Sequence, residues 1–486
     1  MYKIRSGSIH DLKDTAAFIE LLNRWPEYLS DRSFCFNSES ELVVTRAPGR
    51  LDLMGGIADY SGSLVLELPI ASATHVALQL QERPALNIVS LPANSNDRIR
   101  TFAMPLADFV IANKPIEYPS ARAQFKDSDE DSWAAYVAGA FLVLMRERNV
   151  SFKTGARILI SSDVPEGKGV SSSAALEVAV MQAIVAAFEI QLPPRDLALL
   201  CQQVENLVAG APCGVMDQAT AAGGEKDRLL ELLCQPAELR GTIALPTGLS
   251  IWGIDSGVRH SVGGADYGTI RTAAFMGYRM IAGIAGLPVH PGERDGHVLI
   301  DDPKWKGYLA NVTPEEFARD FAAHVPERIK GKDFLDRYNG ITDRVTSVNP
   351  QINYPVATAT RHPIHENARV KSFAAILRAW EGIEQAPLLG ELMFQSHESY
   401  SRCGLGCAAT DELVALVRAA GVDGFYGAKI TGGGSGGTVA VLGRRGADAG
   451  INAIAKRFYE LTGHQPLVIS GSSPGAGIFG SLRLTA

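Results

Sequence analysis

The stretch Val164-Pro-Glu-Gly-Lys-Gly-Val-Ser-Ser-Ser-Ala-Ala175 carries a glycine-containing loop straight into the start of a helix. Unpaired backbone N–H groups and the positive end of the helix dipole make such a junction favourable for an anion. Gly167 and Gly169 let the backbone approach a phosphate closely, and the hydroxyls of Ser171, Ser172 and Ser173 can ligate phosphate oxygens or Mg²⁺. The common P-loop pattern is not matched, because Gly169 follows Lys168 where Ser or Thr is required. An ordinary glycine-rich loop with a serine N-cap fits the same residues.

Outward from this loop, the apolar spacing predicts a long helix from Ser171 to about Ala187 and a second over Asp196–Val208. Strands are expected at Leu42–Arg46, Leu64–Ile70, His75–Leu80 and Arg157–Ile160, with a Pro48-Gly49 turn after the first. Trp133–Glu147, Ile270–Ile284, Val370–Trp380, Pro387–Tyr400 and Asp411–Ala420 read as helices. Residues 290–367 are richer in charge and proline and read as a surface excursion. The pattern is that of an α+β or α/β chain in two lobes, 1–245 and 246–486.

Two further glycine-bearing segments stand out. Arg46-Ala-Pro-Gly-Arg-Leu-Asp-Leu-Met-Gly-Gly-Ile-Ala-Asp-Tyr60 packs two arginines, three glycines and Asp59 into what reads as a turn between strands. A tight hairpin with capping side chains would look the same. Lys429-Ile-Thr-Gly-Gly-Gly-Ser-Gly-Gly-Thr438 holds five glycines in six residues, a conformational cost that usually accompanies close backbone approach to a ligand or another segment. A flexible linker is the other reading, opposed by the β-branched flanks Ile430 and Val439. Glu205 and Asp217 supply carboxylates of the kind that bind metal or handle protons in phosphoryl transfer, although lone acids are more often surface charges.

Composition bounds the answer. The 486 residues are 46% hydrophobic and 20% charged, enough to bury a large core. A net charge of −7 argues against a general nucleic-acid surface, which needs a basic excess. Six cysteines without a C-x-x-C pair make neither a disulfide framework nor a zinc site, and fit a cytoplasmic protein. Charges interrupt Met1–Trp25, so no secretory leader is expected, and the apolar run Val178–Phe188 is too short to span a bilayer.

Taken together the motifs resemble the galactokinase branch of the kinases named for galactose, homoserine, mevalonate and phosphomevalonate. The resemblance rests on Ala47–Gly55, Pro165–Ala174, Cys213–Gln218 and Thr431–Gly437, in the family's order and spread over almost the whole chain. It implies a two-lobed α+β kinase of the galactokinase type with its site in the cleft. ATP, Mg²⁺ and a small sugar are implied as ligands, with neither nucleic acid nor membrane as partner. On this resemblance Asp217 is the catalytic base, Arg50 lies near the acceptor hydroxyl, and Ser173 and Glu205 hold Mg²⁺. Gly167 to Ser172 form the phosphate loop, with Gly433 and Gly434 of the third motif also on the nucleotide side. Trp133 and Tyr136 match a Trp-x-x-Tyr pair near the adenine, although core aromatics would look the same, and Asp59, Gly214 and Tyr267 contact the sugar. His260, His362 and His397 have no catalytic part.

One departure bears on the acceptor. Galactokinases carry Gly-Glu-His-Thr-Asp-Tyr where this chain has Gly55-Gly-Ile-Ala-Asp-Tyr60, so Gly56 and Ile57 replace the pair facing the C6 hydroxyl. Gly55–Ser63, Asp255–Gly268, His362–Val370 and Cys403–Gly406 instead resemble kinases that phosphorylate L-arabinose, a sugar with the galactose ring stereochemistry and no C6 hydroxymethyl group. The implied reaction is transfer of the ATP γ-phosphate to the anomeric hydroxyl of L-arabinose. A galactokinase with altered C6 recognition, or a sugar-sensing protein that has lost catalysis, are the alternatives.

Overall fold

A computed structural model describes residues 1–25, 34–92, 98–126, 130–259, 265–421 and 424–486. Among them, nine strands form a mixed sheet in the N-terminal lobe. Its centre is the antiparallel pair Leu42–Met54 and Leu64–Gln81, both largely buried. Gly155–Ser162 pairs antiparallel to the second of these and parallel to Ala85–Ser90. The Ser172–Ala187 helix packs on this sheet. It is rich in Ala and Val and apolar on nearly every side, as expected of a helix enclosed by its neighbours.

The second lobe is built on a four-stranded antiparallel sheet in the order Phe425–Ile430, Thr438–Arg444, Leu249–Asp255, Val468–Ser470. A core that includes Leu51, Leu66, Ile251, Phe373, Met393 and Ala440 joins the two sheets across the lobe boundary. The chain also crosses back: Leu482–Thr485 lies between Lys3–Ser6 and Leu42–Met54 in the N-terminal sheet.

Several elements differ from the sequence expectation. No turn forms at Pro48-Gly49. The strand runs through Leu42–Met54 and absorbs the pair as a bulge between Pro48 and Arg50. The glycine is needed there because a Cβ would stand 2.6 Å from the Val170 carbonyl. Leu64–Ile70 and His75–Leu80 are one 18-residue strand. Asp196–Val208 divides into an α-helix, Pro194–Gln203, and a π-turn, Val204–Ala209. The helix expected from Val370 begins at Val356, with Pro363 inside it. Residues before it are not merely a surface excursion, since Trp305, Phe317, Phe321 and Phe334 are buried in one core with Tyr278 and Ile57.

Candidate active site

The strand Leu42–Met54 carries Arg50 into the cleft, and the 3₁₀ turn Gly56–Ser61 that follows carries Ile57 and Asp59. The first motif is therefore strand followed by helical turn, with no hairpin at its centre. Arg50 donates from both Nε and Nη2 to Asp217 Oδ1, at 2.9 and 2.7 Å, and from Nη1 to the Gly169 carbonyl at 2.8 Å. Burial acts to lower the arginine, but Asp217, Glu67 and Asp52 more than offset it, so the guanidinium stays charged. Glu67 is wholly buried 3.4 Å from Arg50, and burial together with Asp52 pushes its carboxyl well above the usual range.

The glycine loop that leads into the Ser172–Ala187 helix lies against this pair. Gly167 and Gly169 both have left-handed backbones, at φ 69° and 70°. Ser171 does too, at φ 63°, and its side chain makes no capping bond, so the expected N-cap is absent. Its hydroxyl is instead buried without a hydrogen-bond partner. Gly167, Gly169, Ser171, Ser172 and Ser173 all line one cleft of about 220 Å³ with Arg50, Ile57, Asp59, Tyr136, Glu205, Gly214, Asp217, Tyr267 and Gly433. An adjoining cavity of about 270 Å³ is lined by Trp133 and again by Tyr136, Gly167, Ser172 and Ser173. Gly56 and Gly434 line neither cavity. Gly56 packs against Tyr400 and Asp52, and Gly434 against Leu405 and Tyr400.

Glu205 sits in the π-turn, 2% exposed, hydrogen-bonded to the Ser173 hydroxyl. Burial and then the charge of Asp217 raise its carboxyl to about 7. Gln218 bridges Glu205 at 2.6 Å and the buried Glu177 at 3.1 Å. A hydroxyl and a buried carboxylate are hard oxygen donors suited to Mg²⁺, and Ser171, whose hydroxyl is unpartnered, lines the same cleft. Elsewhere in the cleft Asp59 is 4% exposed and raised to about 7 by burial and by Asp217. Gly214 must be glycine because a Cβ would fall 1.6 Å from Asp59 Oδ2.

The third motif is a buried loop between two paired strands and not a linker. Gly432, Gly434, Ser435, Gly436 and Gly437 all have positive φ. Thr431 accepts the Asp52 N–H at 2.7 Å, which ties the loop to the other lobe. Lys168 reaches Asp255 at 2.8 Å. His362 bonds Ser399 and His397 pairs with Asp411, both away from the cleft, while His260 lies outside the described residues. Glu67, Glu177 and Tyr400 carry no motif signal: they are isolated residues whose partners lie tens to hundreds of positions away. Lys429 opens the third motif, but nothing local marks its pairing with Asp52.

A glycine cradle at a helix N-terminus beside an arginine-held carboxylate, in a cleft that Tyr267 and Gly433 of the other lobe also line, defines a class: the GHMP kinases. Residues 135–225 match "GHMP kinases N terminal domain", 373–460 match "GHMP kinases C terminal", and 34–80 match "Galactokinase galactose-binding signature". The chain is 30% identical to a galactokinase of Chloroflexus aggregans, over 90% of this chain and 92% of that protein. It is 44% identical to an L-arabinokinase of Arabidopsis thaliana over 99% of its own length, and it spans 52% of that relative. The solved Lactococcus lactis galactokinase complexed with galactose superposes with a TM-score of 0.70 at 19% identity, covering 94% of this chain and 99% of that one. The chain belongs to the galactokinase family of GHMP kinases. No helix among the described residues is long and apolar enough to cross a membrane.

Proposed function

We propose that the chain is an ATP-dependent sugar 1-kinase acting on the anomeric hydroxyl of L-arabinose. The observation that carries the acceptor assignment is Ile57. It lines the cleft that holds Asp217 and Asp59, and the neighbouring position 56 has no room for a side chain. A sugar lacking the C6 hydroxymethyl group leaves no hydroxyl to be desolvated against that apolar wall. The six free thiols support a reducing, cytoplasmic setting.

Asp59 and Tyr267 orient the ring hydroxyls, and Asp217 orients and accepts the proton of the attacking hydroxyl. The acceptor oxygen forms its bond to the γ-phosphorus of ATP as the bond to ADP breaks. Arg50 holds the Asp217 carboxylate in place and contributes positive charge beside it. The glycine backbones at 167 and 169 admit the phosphates, and the adjoining cavity lined by Trp133 and Tyr136 is assigned to adenine on this reading. Ser173 and Glu205 would hold Mg²⁺, which when bound supplies positive charge to the phosphate oxygens. The transition state is loose, so positioning and electrostatics dominate.

The deciding experiment is phosphate transfer from ATP to a panel of sugars. L-Arabinose is expected to be preferred over D-galactose in kcat/KM, by up to ~10²-fold, the range a pocket achieves against one added hydroxyl. A preference for D-galactose would overturn the acceptor assignment. Absence of transfer to any sugar would favour a sugar sensor.

A further inference from the structure

Tyr400 lies on the Ala386–Arg402 helix and is fully buried. Its hydroxyl accepts the Ile57 N–H at 2.8 Å and donates to the Gly432 carbonyl at 3.0 Å. One oxygen thus holds both the wall of the sugar pocket and the glycine loop of the other lobe. That oxygen also occupies the place of a side chain at position 56, since a Cβ on Gly56 would stand 1.5 Å from it. Gly56 is pinned from its other side, where its N–H donates to Asp52 Oδ1 at 3.0 Å. Asp52 Oδ2 in turn accepts from Lys429 at 2.5 Å. Tyr400 does not line the cleft itself; Ile57 does.

Resting on the sugar-kinase reading, we infer that Tyr400 is the positioning residue that sets acceptor specificity. Its hydroxyl excludes any side chain at position 56 and fixes the backbone of Ile57, so that an apolar group closes the acceptor site. Nothing polar can be placed at 56 to receive a C6 hydroxyl while Tyr400 stands there. Replacing Gly56 by an acid is therefore no route to galactose use on its own.

Two measurements test this. Tyr400→Phe keeps the ring and removes both hydrogen bonds. It is expected to lower kcat/KM for L-arabinose about tenfold, mainly through KM, and to lower that for D-galactose much less. A merely structural role would lower both sugars in parallel, and an unchanged ratio between them overturns the specificity role. The second measurement is thermal. Gly56→Ala should lower Tm by several degrees in the wild-type background and much less in Tyr400→Leu. Strain from the positive φ of residue 56 is common to both backgrounds and cancels in the comparison. Should Tyr400→Leu fail to fold, Tyr400→Phe serves as the background, because the oxygen at 1.5 Å is then gone, while the ring carbon at 2.7 Å remains and Asp52 Oδ2, also at 2.7 Å, is common to all backgrounds. Equal losses in both backgrounds would overturn the exclusion. If the wild type prefers D-galactose, the functional reading falls, while the coupling between positions 56 and 400 is decided separately by Tm.

Discussion

Glu205 is raised to about 7 by burial and by Asp217, and only its ionised form can hold a cation. Mg²⁺-dependent nucleotide binding is therefore expected to weaken as pH falls below 7, by up to tenfold per unit. Calorimetric titration of ADP with and without Mg²⁺ across pH 5.5–8.5 (roughly the span over which a group of this pKa titrates) would show it. In Glu205→Gln that pH dependence should disappear, and persistence of the full slope would assign it elsewhere. The stability consequence has the opposite sense. Both Glu205 and Asp59 bind protons more tightly in the folded state than in the unfolded one. Stability should thus decline as pH rises from the ordinary carboxylate range to 7 and level off above it. Asp217→Asn should cut kcat by ~10²–10⁴ while the fold persists, because Glu67 and Asp52 still face Arg50. Near-native turnover in that variant would remove Asp217 from the role of base. That Asp217 and Ser173 line the cleft was legible in sequence because each sits in a compact motif, whereas Glu205, a lone acid in a helical stretch, entered only with the family resemblance. Glu67 and Glu177 were not legible, since a single glutamate in an apolar strand or helix carries no local signal of burial beside a charge.

At the level of elements, the phosphate loop and the strand Leu42–Met54 depend on one close approach. The Arg50 N–H donates to the Val170 carbonyl at 3.1 Å, and Gly49 leaves room for that oxygen. Gly49→Ala should destabilise the protein by ~1–3 kcal/mol, as overpacking does, and weaken ATP binding as well. Urea unfolding and nucleotide titration of the same variant would separate the two effects. Unchanged stability would mean that the loop can yield without cost. The sequence reading placed a turn here because Pro-Gly usually marks one, and the long-range contact that makes the glycine necessary is invisible in a local window. The first turns of the helix Val356–Arg378 are hidden in the sequence for a similar reason. Pro363 and the polar residues around it obscured its first turns, which are stabilised by packing against the Ala265–Ile284 helix.

Across the whole molecule, the two lobes are joined by charge as well as by apolar packing. Lys429 in the second sheet and Asp52 in the first are both fully buried and paired at 2.5 Å. Removing one partner strands the other, so Lys429→Met should cost ~3–5 kcal/mol, while the double variant Asp52→Asn/Lys429→Met should recover part of that loss. Equilibrium denaturation of these two, of Asp52→Asn and of the wild type would test the coupling, and simple additivity would refute it. The two-lobed α+β architecture was legible from motif order and apolar spacing. The seam was not, because its residues are hundreds of positions apart. The strand Leu482–Thr485 carries that separation furthest, since it sits between Lys3–Ser6 and Leu42–Met54. During synthesis the ribosome adds several hundred residues, over tens of seconds, before this strand exists. Until then the nascent N-terminal sheet has a gap between its first two strands, with unpaired backbone groups on both sides. A chaperone that shields strand edges should therefore raise the yield of this protein more than one that acts only after release.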